Sequence, residues 1–226
     1  MSGPSPGILI LYYSLSAQTS GLVQRLAAGL DEEGCQVHLE RLQPLQPLKF
    51  PIGTVAATLA LMLITLLRGR VPIKPLSAAC GQGYDLVIVA GPTWSYNPSG
   101  PVLSLLDRDG AMLFAGRRVL PLISCRGYWR LHWWGLRRSL QRCGAEVVNR
   151  MVFSHPCREP WRTIGVFLKL AGRVPERGRI MGRHYPRYGH SREQQDEAFR
   201  FGRQVALALR EERSLAALPL ESTSLG

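Results

Sequence analysis

Three short loops hold most of the side chains that could do chemistry. Residues 14–21 (SLSAQTSG) carry hydroxyls at Ser14, Ser16, Thr19 and Ser20, just ahead of a helical pattern. The small Ala17 and the start of that helix would let backbone N–H groups converge on an anion. The loop has neither the lysine of a P-loop nor a GxGxxG run, so nucleotide-triphosphate and dinucleotide cradles are poor fits. Taken alone, it reads equally well as a phosphate site or as an ordinary helix cap.

The second loop, residues 92–101 (PTWSYNPSGP), sets Trp94 and Tyr96 in a stretch stiffened by Pro and Gly. Flat rings on a constrained loop suit stacking on a planar heterocycle, although they can also simply cap a core. The third, Ser124–Trp129 (SCRGYW), adds Gly127 and two more aromatics, with Arg126 and Arg130 beside it, either solvated or holding a phosphate. His155, Cys157, His184 and His190 lack any standard zinc spacing, and no metal is expected.

The elements around these loops read as alternating strand and helix. Apolar runs at 7–14, 35–42, 84–91, 117–124 and 145–153 have strand length, with Pro121 an oddity inside the fourth. Helical spacing appears at 21–33 and 131–142, and Ser191 with Gln194 forms a capping-box signature opening a helix to about Arg213. Strand–helix alternation predicts a doubly wound parallel sheet, in which ligands bind outside the carboxyl ends of the strands, where all three loops fall. One domain over 1–213 is expected, with 214–226 as a flexible tail.

Together the loops resemble those of the flavodoxin-like family, including its NAD(P)H:quinone oxidoreductase relatives. SLSAQTSG is similar to the family phosphate loop S/T-x-T-G-N-T: Ser14, Ser16 and Thr19 fall on its hydroxyl positions, Leu15 lies between, and Ala17 and Gln18 replace the usual Gly and Asn. GPTWSYNPSGP resembles the second flavin loop, which implies that Pro92, Thr93, Trp94, Ser95, Tyr96 and Asn97 line the ring, with Ser124, Gly127 and Tyr128 from the third. The resemblance implies a five-stranded parallel sheet, FMN as cofactor, NAD(P)H as electron donor and an aromatic or quinone-like acceptor. It spans about 7–153 and the last helix. An electron carrier of flavodoxin type, or a flavin-free scaffold at a membrane surface, are the alternatives. No side-chain acid or base stands out as catalytic.

Two insertions, about 44–80 and 154–190, lie outside the resemblance. Residues 52–67 (IGTVAATLALMLITLL) contain no charge and three threonines over 16 residues, short of the roughly 20 that span a bilayer. Such a helix must be covered on all sides: by a homodimer partner, by the apolar stretch Trp161–Ala171, or by shallow burial in a membrane. The formal net charge is +12 and is concentrated: segment 117–143 holds seven Arg and no acid, and segment 158–192 nine Lys or Arg against two Glu. That favours an anionic partner, an anionic membrane surface ahead of nucleic acid, for which no recognised module appears. The five cysteines contain no CxxC pair, and Ile8–Leu11 is too short for a signal-peptide core, so a cytoplasmic chain, peripheral on the inner membrane face, is expected.

Overall fold

The computed structural model describes residues 5–222. Strands β1 (Gly7–Tyr12), β2 (Gln36–Arg41), β3 (Leu86–Trp94), β4 (Asn97–Pro98), β5 (Arg118–Cys125), β6 (Glu146–Val147) and β7 (Met151–Ser154) form one sheet. Its order is β2-β1-β3-β5-β6; β7 continues along β5 past β6, and β4 turns back antiparallel on β3. The five-position parallel sheet expected from the sequence is therefore present, in the 2-1-3-4-5 arrangement of flavodoxin-like sheets once the small β4 is set aside.

Helices α1 (Gln18–Glu32), α2 (Val55–Leu66), α3 (Gly100–Arg108), α4 (Gly110–Phe114), α5 (Trp129–Arg142), α6 (Trp161–Leu170), α7 (Met181–His184) and α8 (Arg192–Arg210) connect and cover it. The two-residue side-chain period of a strand divides the core into two layers. Ile8, Ile10, Ile88 and Leu120 pack under α1 and α8, while Leu9, Leu11, Val87 and Val119 pack under α3, α4 and α5. Ser191 and Gln194 close the capping box of α8 as expected.

Three departures from the sequence reading have physical causes. The expected strand 145–153 is broken between β6 and β7. On that side of β5 the Val119 and Cys125 carbonyls accept from the Val148 and His155 amides, so by alternation Pro121 faces it too. Pro121 has no N–H to donate, and the break lies opposite it. Residues 214–222 are not a loose tail. Leu215 and Leu220 are buried in the α1–α8 layer, and the Val152 amide donates to the Leu220 carbonyl while Ser222 donates back to Val152. The remainder of that expected tail, 223–226, lies outside the described residues. Third, α2 buries Thr58 and Thr65 and leaves its large apolar side chains outside both core layers.

The α1–α8 contact is a close one. A Cβ at Gly29 would stand 2.1 Å from the Phe199 carbonyl oxygen, and one at Gly202 would stand 2.3 Å from that of Leu26. The helices therefore cross backbone against backbone, which fixes the position of the α1 N-terminus relative to α8. Gly202→Val is expected to destabilise the protein by about 3 kcal/mol through overpacking, read as a lower urea midpoint; a loss below about 0.5 kcal/mol, the range of surface substitutions, would contradict this close crossing.

Candidate functional site

At the carboxyl edge of the sheet a cleft opens to solvent. Ser14, Leu15, Ser16, Gln18 and Thr19 form one end. The turn from β1 into α1 is made by Ala17, which adopts a left-handed conformation at φ 60° and serves as the helix N-cap without contributing a side-chain hydrogen bond. L-residues occupy that region at a cost of roughly 1–2 kcal/mol. Alanine thus holds the conformation for which glycine is the usual choice.

The consequence is a helix start whose first amides have no acceptor among the described residues. The first-turn amides of a helix have no intrahelical acceptor, no side chain caps this terminus and no acidic residue lies in its first turn. Beside them the Ser14 side chain is buried, and its Oγ has no hydrogen-bond partner among the described residues. A buried hydroxyl without a partner costs about 1–3 kcal/mol. An anion at the helix terminus would satisfy both it and the amides.

This turn is clasped from the far end of the chain. Tyr188 donates its hydroxyl proton to Ser16 Oγ at 3.0 Å, and burial raises the Tyr188 pKa, keeping it a neutral donor. Gln18 accepts from the His190 amide at 2.9 Å. Gly189, at φ +96°, has no room for a side chain, because a Cβ would fall 1.8 Å from Gln18 Oε1. Gln18 is therefore directed towards residues 189–190.

Behind them runs a chain of hydrogen bonds. Gln194 Nε2 donates to the Ser154 carbonyl and its Oε1 accepts from Ser191 N–H, which orients the amide. His190 Nδ1 then donates to Gln194 Oε1 at 3.0 Å, leaving Nε2 to accept from Ser124 Oγ at 2.8 Å. Burial lowers the His190 pKa to about 4. Burial, with His190 and Arg162, does the same for His155, also to about 4, and His155 Nε2 accepts from the Gly189 amide. These rings are neutral scaffolding at ordinary pH, and Arg126 is the cation on the cleft wall.

Pro92, Thr93, Trp94 and Ser95 form the second wall and Ser124 part of the third. Trp94 is braced edge-on by Tyr13 at 5.6 Å. Thr93 Oγ1 is held 2.7 Å from Nδ1 of buried His132, whose pKa is lowered to about 3 by burial and Arg68. Ser95 and Tyr96, both at positive φ, make the tight turn from β3 to β4.

Five residues expected at the cofactor do not line the cleft. Ala17 shapes the turn through its backbone alone. Asn97 instead donates to the Thr65 and Leu66 carbonyls at the end of α2. Tyr96 stacks edge-on against Tyr128 at 5.8 Å, both outside the cleft and exposed. Gly127 is pressed against the Arg162 guanidinium, 2.7 Å from where its Cβ would stand.

The insertions supply the walls that sequence reasoning missed. Thr58, Leu61, Met62 and Thr65 of α2 and Val166, Phe167 and Leu170 of α6 all face the cleft. The two insertions also meet, as the Ile52 amide donates to the Leu170 carbonyl at 2.8 Å. Thr58 and Thr65, seven residues apart, share one helix face, a signal readable in the sequence. Cys125, His155, Tyr188 and Gly189 carried no comparable pattern.

No protein-family model matches the sequence, and no curated protein does. Solved structures do. A flavoprotein in complex with FMN from Lactobacillus acidophilus is 19% identical and superposes with a TM-score of 0.51 over 66% of this chain and 93% of its own. A flavodoxin, WrbA-like protein from Agrobacterium tumefaciens is 14% identical, with a TM-score of 0.50 over 92% of this chain and 100% of its own. The rubredoxin oxygen:oxidoreductase of Desulfovibrio gigas is 13% identical, with a TM-score of 0.52 over 93% of this chain and 38% of its own. Sheet order, the position of the cleft and these superpositions agree, and the chain has the flavodoxin-like fold.

Proposed function

We propose that the cleft binds FMN, with the terminal phosphate at the Ser14–Thr19 turn, and that the protein is an FMN-dependent oxidoreductase acting on an aromatic or quinone-like acceptor with NAD(P)H as donor. The observation that carries this reading is the buried, partnerless Ser14 hydroxyl beside the uncapped amides of α1. The similar flavoprotein from Lactobacillus acidophilus, in complex with FMN, supports it.

Bound FMN supplies hydride and electron transfer; the residues of this chain bind it, orient it and exclude water. Ser14, Ser16 and Thr19 with the α1 amides suit the phosphate, and Arg126 adds positive charge on the cleft wall. Pro92–Ser95 and Ser124 form the walls on which a planar ring lies, with Trp94 the flat surface braced by Tyr13. The apolar side chains Leu61, Met62, Val166 and Phe167 enclose the remaining space, which suits a lipophilic acceptor better than a charged protein partner. That favours an enzyme over a one-electron carrier.

Three outcomes follow. Titrating the FMN-depleted protein with FMN should quench flavin fluorescence, and Ser14→Ala should weaken binding about 10- to 100-fold, the value of one hydrogen bond to a charged group; unaltered affinity would remove Ser14 from the phosphate site. NAD(P)H consumption with a panel of quinones should then accelerate on FMN addition, and flavin-loaded protein that turns over none of them would leave the carrier reading. Ala17→Gly, by relieving the left-handed alanine, should raise stability by about 1 kcal/mol in urea unfolding while leaving FMN affinity intact.

A further inference from the structure

Helix α2 is built inside out. Its two buried residues are threonines, and both satisfy their hydroxyls on the helix's own carbonyls, Thr58 on Thr54 and Thr65 on Met62. Outward stand Val55, Leu59, Leu63, Ile64, Leu66 and, just past the helix, Leu67, each at least 51% exposed. Soluble monomers seldom leave so large an apolar patch to water, and where they do it marks a surface for a partner or a membrane. α2 has 12 residues, a rise of only about 18 Å, and no helix among the described residues is long and apolar enough to cross a membrane.

The neighbouring helix identifies the occupant. At its carboxyl end α2 meets α5, where the Arg68 guanidinium lies 3.0 Å from where a Cβ on Gly135 would stand. There α5 exposes Leu131 and Trp134 together with Arg130, Arg137, Arg138 and Arg142. Arg138 lies over the Trp134 ring, 5.6 Å from its centre. No acidic residue occurs between 117 and 143 to neutralise them. A second copy docking symmetrically on this face would set these arginines near their own counterparts, an unfavourable pairing. A bilayer bearing anionic headgroups instead takes the leucines into its acyl boundary, the tryptophan at its interface and the arginines against its phosphates.

We infer that the outer face of α2, with Leu131, Trp134 and the arginines of α5, docks on an anionic membrane surface. The inner face of the same helix lines the cleft, so docking places one wall of the site at the lipid boundary. On the FMN reading above, this makes the acceptor a lipid-dissolved molecule; the docking itself does not depend on that reading.

The test is flotation of the purified protein with vesicles of phosphatidylcholine alone and of phosphatidylcholine mixed with phosphatidylglycerol. The protein should float with the mixed vesicles, its tryptophan emission shifting to the blue. Trp134→Phe should diminish the shift, and Arg130→Gln with Arg138→Gln should weaken binding about fivefold per charge removed. Leu59→Glu, Leu63→Glu and Leu66→Glu combined, all at outward positions and checked for retained circular dichroism, should abolish flotation. Failure to float with either vesicle, or flotation indifferent to the three glutamates, would overturn the proposal. So would a dimer in sedimentation velocity that the same three glutamates dissociate, because a second copy would then cover the face. Flavin binding is measured without vesicles, so its failure and that of docking are separate results.

Discussion

Everything at the carboxyl edge of this sheet depends on how the chain leaves β1 and enters α1. One residue, Ala17, takes a left-handed turn, and the helix that follows begins with neither a side-chain cap nor an acidic residue in its first turn. The cost of that turn is offset elsewhere: β1 is buried at its centre, and α1 is locked backbone-to-backbone onto α8. Rigidity of the surrounding layers is what holds the strained turn in place.

The electrostatics of the cleft follow the same logic. Three histidines lie close to it, yet burial holds each of them uncharged, and they act as hydrogen-bonding struts between Ser124, Gln194, Thr93 and Gly189. Positive potential at the cleft therefore comes from the helix terminus and Arg126 rather than from titrating groups. Neutral struts keep the geometry independent of modest changes in pH, while the strongly basic character of the chain is reserved for the outer surface.

The framework was legible in the sequence because strand runs, helix periods and the Ser191–Gln194 capping box are local patterns. Ser14–Thr19, Pro92–Ser95 and Ser124 were found because they sit where strands end. What escaped was set by long-range geometry. Pro121 broke a strand that pairs with it from some thirty residues away, a clash no local window contains. Leu215 and Leu220 reached the core through β7 although their surroundings look like a tail. Tyr96 and Asn97 belong to a flavin-like motif, but the insertion at α2 engages Asn97, and Tyr128 takes Tyr96 outside the cleft. Where the resemblance expects glycine and asparagine, Ala17 takes the left-handed backbone itself and Gln18 finds a partner in the His190 amide.

That partner lies 172 residues downstream of Gln18, as does the Tyr188 hydroxyl downstream of Ser16. A polypeptide emerging from the ribosome displays the β1–α1 turn almost at once and then waits for most of its length before the clasp can close. Until α8 has been synthesised and seated, the cradle has neither its lock nor the helix against which α1 is pinned. Closure of the β1–α1 turn is in this way coupled to the synthesis and seating of a segment far along the chain.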